Sequence, residues 1–140
     1  MKKMSGNIMA VILDDGEHPA ESLVSALEDG GMDSALVISG IGMLRNARIG
    51  FWNGSEYEMK DFREPRELLS MSGSVALLDG NPSVHLHVSL AERDHNCAGG
   101  HLVDAEVNNI NEIAIASFPS GSFVRKYSGR TKLNMLDFTQ

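Results

Sequence analysis

Val84-His85-Leu86-His87-Val88-Ser89-Leu90 is the stretch on which the fold turns. Apolar and polar residues alternate through it without a break, the period of a strand that buries one face. Successive side chains on a strand point to opposite faces, so His85 and His87 share one face. Val84, Leu86 and Val88 take the other, which is the apolar and buried one. His101-Leu102-Val103-Asp104-Ala105-Glu106-Val107 alternates in the same way, and Arg93–Gly100 between them is turn-like. Paired as antiparallel neighbours, the two segments would bring His101 within reach of the other two histidines.

Outward from this pair the chain continues to read mainly as strands. Glu112–Phe118 follows as a strand ended by Pro119-Ser120-Gly121, and Phe123–Tyr127 and Leu133–Phe138 are two further strands. On the N-terminal side Asp79-Gly80-Asn81-Pro82 is a turn. Before it lies Arg66–Asp79, a long extended segment with a break at Gly73. Ala47–Trp52 and Tyr57–Phe62 flank Asn53-Gly54, the dipeptide of tight hairpin turns. Ser34–Ser39 is a strand closed by Gly40-Ile41-Gly42, and the apolar run Ile8–Leu13 is a buried strand closed by Asp14-Asp15-Gly16. One helix is expected, over Glu17–Asp29. Leu23, Val24 and Leu27 form its apolar face, Pro19 suits its first turn, and Gly30-Gly31 suits its end. The fold class is α+β, a mainly antiparallel sheet with one principal helix. The 140 residues form one expected domain, with its core over about 8–138.

The composition is ordinary for a globular chain, with 42% hydrophobic and 22% charged residues. The longest apolar runs, Met9–Leu13 and Val75–Leu78, fall far short of the roughly 20 residues that cross a bilayer. Two lysines follow Met1, but no apolar segment of a secretory signal comes after them. Cys97 is the only cysteine, so no disulfide can form within the chain, which points to a reducing, cytoplasmic setting. The net charge is −7, with 19 acidic against 12 basic residues, and this disfavours direct contact with DNA phosphates. The densest basic stretch, Arg125, Lys126, Arg130 and Lys132, reads as a solvated edge, and no Arg-Gly-Arg-Pro hook is present.

Three imidazoles on two neighbouring strands form a plausible ligand set for a divalent ion. Neutral ring nitrogens bind zinc at about 2.0–2.1 Å, and three of them leave a fourth position for water or a ligand. A His-x-His pair alone is more often a pair of solvated side chains, and it is the addition of His101, after 13 intervening residues, that makes His85, His87 and His101 a candidate metal site. Imidazole favours zinc, while nickel, copper and iron also accept it. Cys97 is a weaker fourth candidate, because its turn carries it away. His18 and His95 have no such grouping.

The same residues carry a family resemblance. Pro82-Ser83-Val84-His85-Leu86-His87-Val88 with Gly99-Gly100-His101-Leu102 resembles the signature of the PPC domain, the plant and prokaryote conserved domain. Ser39-Gly40-Ile41-Gly42 with Ala47-Arg48-Ile49-Gly50-Phe51 resembles the early glycine segment of prokaryotic members. Arg66-Glu67-Leu68-Leu69-Ser70-Met71-Ser72-Gly73 resembles the plant segment Arg-Phe-Glu-Ile-Leu-Ser-Leu-Ser-Gly. The match runs from about Ile8 to Phe118. It implies a mainly antiparallel fold assembled as a homotrimer, and zinc held by the histidines matching His85, His87 and His101. Plant members reach DNA through a separate hook, which is absent here, while their PPC domain makes protein contacts. The fold is also similar to that of acetolactate decarboxylase, a three-histidine zinc enzyme, an analogy that does not fix function.

Three functions compete on these grounds. One is a trimeric, metal-containing module that binds a protein partner or small ligand. Another is a metal-dependent enzyme acting on a small carbonyl or carboxylate compound, the ion serving as Lewis acid or activating water. The last is a DNA-associated protein. The enzyme reading needs a charge partner and a proton carrier. Arg45 is the candidate anion clamp and Glu67 the candidate acid/base, although a surface or interfacial ion pair for the first and a solvated strand position for the second are the commoner roles. Asp104 or Glu106 is a candidate to support an imidazole from behind, against the commoner solvent-facing role of such residues. Phe51, Trp52 and Phe62 are candidates either for a subunit interface or for the core.

Overall fold

Alternating burial is the rule along the strands, and it fixes which face of each is turned inward. A computed structural model describes residues 1–139. Strand β1 covers Lys2–Ser5 and β2 Ile8–Asp14, and in β2 the buried residues are Met9, Val11 and Leu13. Helix α1, Pro19–Glu28, begins with its proline in the first turn. It buries Pro19, Leu23, Ala26 and Leu27, a stripe spaced for one helical face. Past Asp29 the chain leaves through Gly30-Gly31, with the Met32 amide donating to the Leu27 carbonyl at 3.0 Å. The remaining strands are β3 Ser34–Trp52, β4 Tyr57–Phe62, β5 Arg66–Leu78, β6 Asn81–Ala91, β7 Cys97–Phe118, β8 Phe123–Ser128 and β9 Leu133–Phe138.

These strands form one nine-stranded sheet, with the main path β1-β2-β7-β3-β5-β8-β9. All pairings are antiparallel except the short contact of β5 with β8 at Leu77 and Val124. Strand β6 pairs with both β5 and β7, and β3 also pairs with both. The circuit β3–β5–β6–β7 therefore closes on itself. Its interior holds Leu44, Ala47, Ile49, Leu68, Met71, Val75, Leu86, Val88, Leu90, Leu102 and Val107, continuous with the apolar faces of β2 and α1. The helix is too short to cross a membrane, and among the described residues no helix is long and apolar enough to do so.

The expected α+β class and single principal helix agree with this architecture, and several boundaries do not. The segments Ser34–Ser39 and Ala47–Trp52 are one strand, as are His101–Val107 and Glu112–Phe118. Register shifts between Val37 and Ser39, Gly42 and Leu44, and Arg45 and Ile49 let β3 bend without ending. At Gly42, φ is 138°, and an added Cβ would overlap the Ile110 carbonyl oxygen. The side chain of the buried Asn111 spans this bend, donating to the carbonyls of Met43 (2.9 Å) and Ile110 (2.8 Å). The turn-like reading of Arg93–Gly100 fails at its end, because Cys97–Gly100 already pair with β6. Likewise Asn81 and Pro82 belong to β6, and β1 carries no alternation that reveals it. Phe62 lies in the core with 6% exposure, whereas Phe51 is 69% exposed.

Gly73 is no break in β5. It faces Leu86 across the β5–β6 ladder, so close that a Cβ would overlap the carbonyl oxygen of His85. Gly73→Ala must part the two strands beside the histidines. The expected cost is about 1–3 kcal/mol, read as a lower urea midpoint with an unchanged slope.

Candidate metal centre

Two ladders set the positions of the three imidazoles. On β6, His85 stands opposite Ser74 of β5, and His87 opposite Ser72. Across the other edge of β6, His87 is the direct partner of His101 on β7. Leu86 and Val88 point inward and are buried, which leaves the histidines on the opposite face, as the alternation requires. The rings converge. His85 Nε2 and His87 Nε2 are 3.1 Å apart, ring centroids lie 4.9 Å apart for His85 and His101, and 5.8 Å for His87 and His101. One nitrogen from each ring lies within 4.8 Å of the others. Tyr57 from β4 stacks on His101, with centroids 4.8 Å apart and planes inclined by 24°.

The electrostatics suit a cation acceptor. Burial, then the neighbouring His101, Arg125 and His87, push the pKa of His85 down to about 4. Burial, followed by His87 and Arg125, also lowers that of His101. At neutral pH these two rings are therefore uncharged and offer lone pairs. His101 Nδ1 is buried and has no hydrogen-bond partner among the described residues, and a buried polar atom without one is rare. Three imidazoles with an unsatisfied nitrogen among them fit a borderline divalent ion such as zinc. When bound, such an ion would supply a Lewis-acid position at the mouth of the cluster.

The other sequence candidates lie elsewhere. Arg45 donates from Nε to Glu106 (3.0 Å) and from Nη1 to Asp15 (2.7 Å) and Asn108 (3.2 Å). Those contacts occupy the donors an anion clamp would need. It pairs with Glu106 on β7, five positions from His101, or roughly 15 Å along a strand. Glu67 is exposed and seven positions from Ser74 on β5, roughly 20 Å away. Asp104 accepts from His18 Nδ1 at 2.9 Å, and this contact raises the His18 pKa, so neither Asp104 nor Glu106 supports an imidazole of the cluster. Cys97 is exposed and outside the cluster, as is His95.

Two residues of the site went unread in the sequence. Arg125, expected on a solvated edge, is only 8% exposed. Its Nη2 donates to the Ser74 hydroxyl (2.8 Å) and carbonyl (3.3 Å). The signal was its place two residues after Phe123, which puts both on the inward face of β8. Tyr57 gave no signal, since its stacking partner is 44 residues away. Together His85, His101, Tyr57, Ser74 and Arg125 border a cleft of about 370 Å³.

A pH dependence follows for the metal-free protein. The folded state resists protonating His85 until about pH 4, while the unfolded chain takes that proton near 6.5. Protons thus favour unfolding, and stability falls as pH drops from about 6.5 towards about 4. His85→Asn has no such proton to gain. Urea denaturation at several pH values in that window is expected to give a shallower loss for the variant than for the parent chain.

A family model described as the Plants and Prokaryotes Conserved (PCC) domain matches residues 2–119, the family that the sequence resembles. Among solved structures, a metal-containing protein from Archaeoglobus fulgidus is 30% identical, with a TM-score of 0.83 over 100% of this chain and 99% of its own. A plant- and prokaryote-conserved protein from Pyrococcus horikoshii is 27% identical, TM-score 0.83, over 100% and 97%. A candidate DNA-binding protein from Bacteroides thetaiotaomicron is 25% identical, TM-score 0.89, over 99% and 96%. No curated protein matches the chain. With its fold, its histidine segment and nearly its whole length in agreement, the chain belongs to the PCC domain family.

Proposed function

We propose that this chain is a metal-holding binding module of the cytoplasm, assembled as a homotrimer. His85, His87 and His101 hold a divalent ion, zinc by the preference of imidazole, and the adjoining cleft receives a small ligand or a segment of a protein partner. The observation that carries this reading is the convergence of three imidazoles, one nitrogen of each within 4.8 Å of the others, with His101 Nδ1 buried and without a hydrogen-bond partner among the described residues. The metal-containing relative from Archaeoglobus fulgidus supports it. Direct DNA contact is not part of the proposal, because the net charge of −7 opposes it and the most buried cation of the basic stretch faces the cleft. Neither Arg45 nor Glu67 is given a catalytic role, since each stands away from the cluster.

Assembly is supported by apolar surface on the outer face of the sheet. Ile8 and Leu36 flank Ala116 from either side of β7, 43% and 37% exposed, and Ile38, Ile41 and Phe51 are at least half exposed. Apolar surface of this kind marks contact sites between proteins.

Metal analysis of untagged protein, purified without chelator, is expected to find close to one zinc per chain. His85→Ala/His87→Ala should lower zinc affinity by more than about 100-fold while leaving the β-rich circular dichroism spectrum unchanged. A metal content near zero in the parent chain, unchanged on adding zinc, would remove the proposal. Light scattering is expected to give about three times the 15.2 kDa chain mass, and a concentration-independent monomer would end the trimeric part.

A further inference from the structure

A permanent charge shares the cleft with the histidines and has no counter-ion among the described residues. The guanidinium of Arg125 keeps its proton at any ordinary pH, yet the residue is 8% exposed and makes no ion pair among the described residues. Arg45, Arg48 and Arg66, all less buried than Arg125, each meet a carboxylate, at 2.7, 3.3 and 2.6 Å. Arg125 has only Ser74, whose hydroxyl and carbonyl are both served by Nη2, and its Nε is buried with no partner. No Asp or Glu lines the cleft, although the chain as a whole carries a charge of −7. An arginine held this way, positive and short of acceptors, is a receptor for a planar anion, whose two oxygens match its fork of donors. Across the cleft, Val84, Leu133, Met135 and Leu136 supply apolar wall.

We propose that Arg125 holds the carboxylate of a small organic acid, with the acid's apolar body against Val84, Leu133 and Met135. This rests on reading the cleft as the ligand-receiving side of the histidine centre, and it adds the class of ligand. The volume of about 370 Å³ suits a short-chain acid. The apolar wall gives a carboxylate with a hydrocarbon tail the advantage over inorganic phosphate, which has nothing to place there.

The test follows the ¹⁵N–¹H signal of Arg125 Nε in the full chain, metal-free and zinc-loaded, during titration with sodium butyrate and, separately, inorganic phosphate. Butyrate is expected to move that signal along a saturating curve, at lower concentration than phosphate. Arg125→Gln should weaken butyrate binding by roughly tenfold or more, with Arg125→Lys recovering part of it. If Arg125→Gln does not fold, the signal of the parent chain still decides the matter, and Ser74→Ala provides a second variant that keeps the guanidinium. An unmoved signal, equal butyrate binding by Arg125→Gln, or tighter binding of phosphate would each overturn the assignment. Zinc uptake is followed separately on the histidine ring signals. Zinc binding without butyrate binding removes only the acid site, and butyrate binding by a chain that takes up no zinc removes only the metal reading.

Discussion

The short seam between β6 and β7 is the contact on which the remainder of the molecule rests. Only five residue pairs make it, Cys97–His101 against His87–Ala91, yet it closes the β3–β5–β6–β7 circuit. Without it β6 would be an open edge, and the interior lined by Leu86, Val88 and Leu90 would lose one wall. The same five pairs seat His87 directly opposite His101. Closure of the barrel-like core and assembly of the candidate site are thus one event, and the packing that stabilises the first also positions the second.

The cleft combines two kinds of nitrogen-bearing side chain that behave differently. The His85 and His101 imidazoles are kept neutral by burial and by neighbouring charge, so they are ready to accept a cation. The guanidinium of Arg125 cannot yield its charge in the same way, and its field helps depress the two histidines nearest to it. Burial does the preparing in both cases. It removes water that would otherwise satisfy His101 Nδ1 and Arg125 Nε, and leaves both without a hydrogen-bond partner among the described residues. The Arg45 network at the middle of β7 is the contrasting case, a cation occupied by Asp15, Glu106 and Asn108.

Much of this was legible in the chain because its signals are local. Period-two alternation over Val84–Leu90 and His101–Val107 located both histidine strands and their buried faces. Pro19 and Gly30-Gly31 bracketed the helix to within two residues at each end. The features that escaped depend on distant partners. Gly42 and Gly73 resemble strand terminators locally, but each is small because another strand's backbone crosses it closely. Arg125 resembled a member of a basic surface run until β8 was laid beside β5 and its inward face became the roof of the cleft. Arg45 follows Gly40-Ile41-Gly42 and Glu67 stands in Arg66-Glu67-Leu68-Leu69, both segments of family resemblance, but bends in β3 and the length of β5 carry them away from the histidines.

The pairing of β2 with β7 has a consequence for how the chain must be made. Ile8 finds its ladder partner at Ala116, and Asp14 finds its own at Ile110. On a ribosome, the apolar segment Met9–Leu13 therefore emerges long before the strand that will cover its edge, and until then it can pair only with β1 or with another nascent copy. The hairpin with β1, rich in lysine and exposed along its length, supplies an early guard for one side of that segment. Strand β1 thus acts as a temporary escort for a strand whose permanent neighbour is translated roughly a hundred residues later.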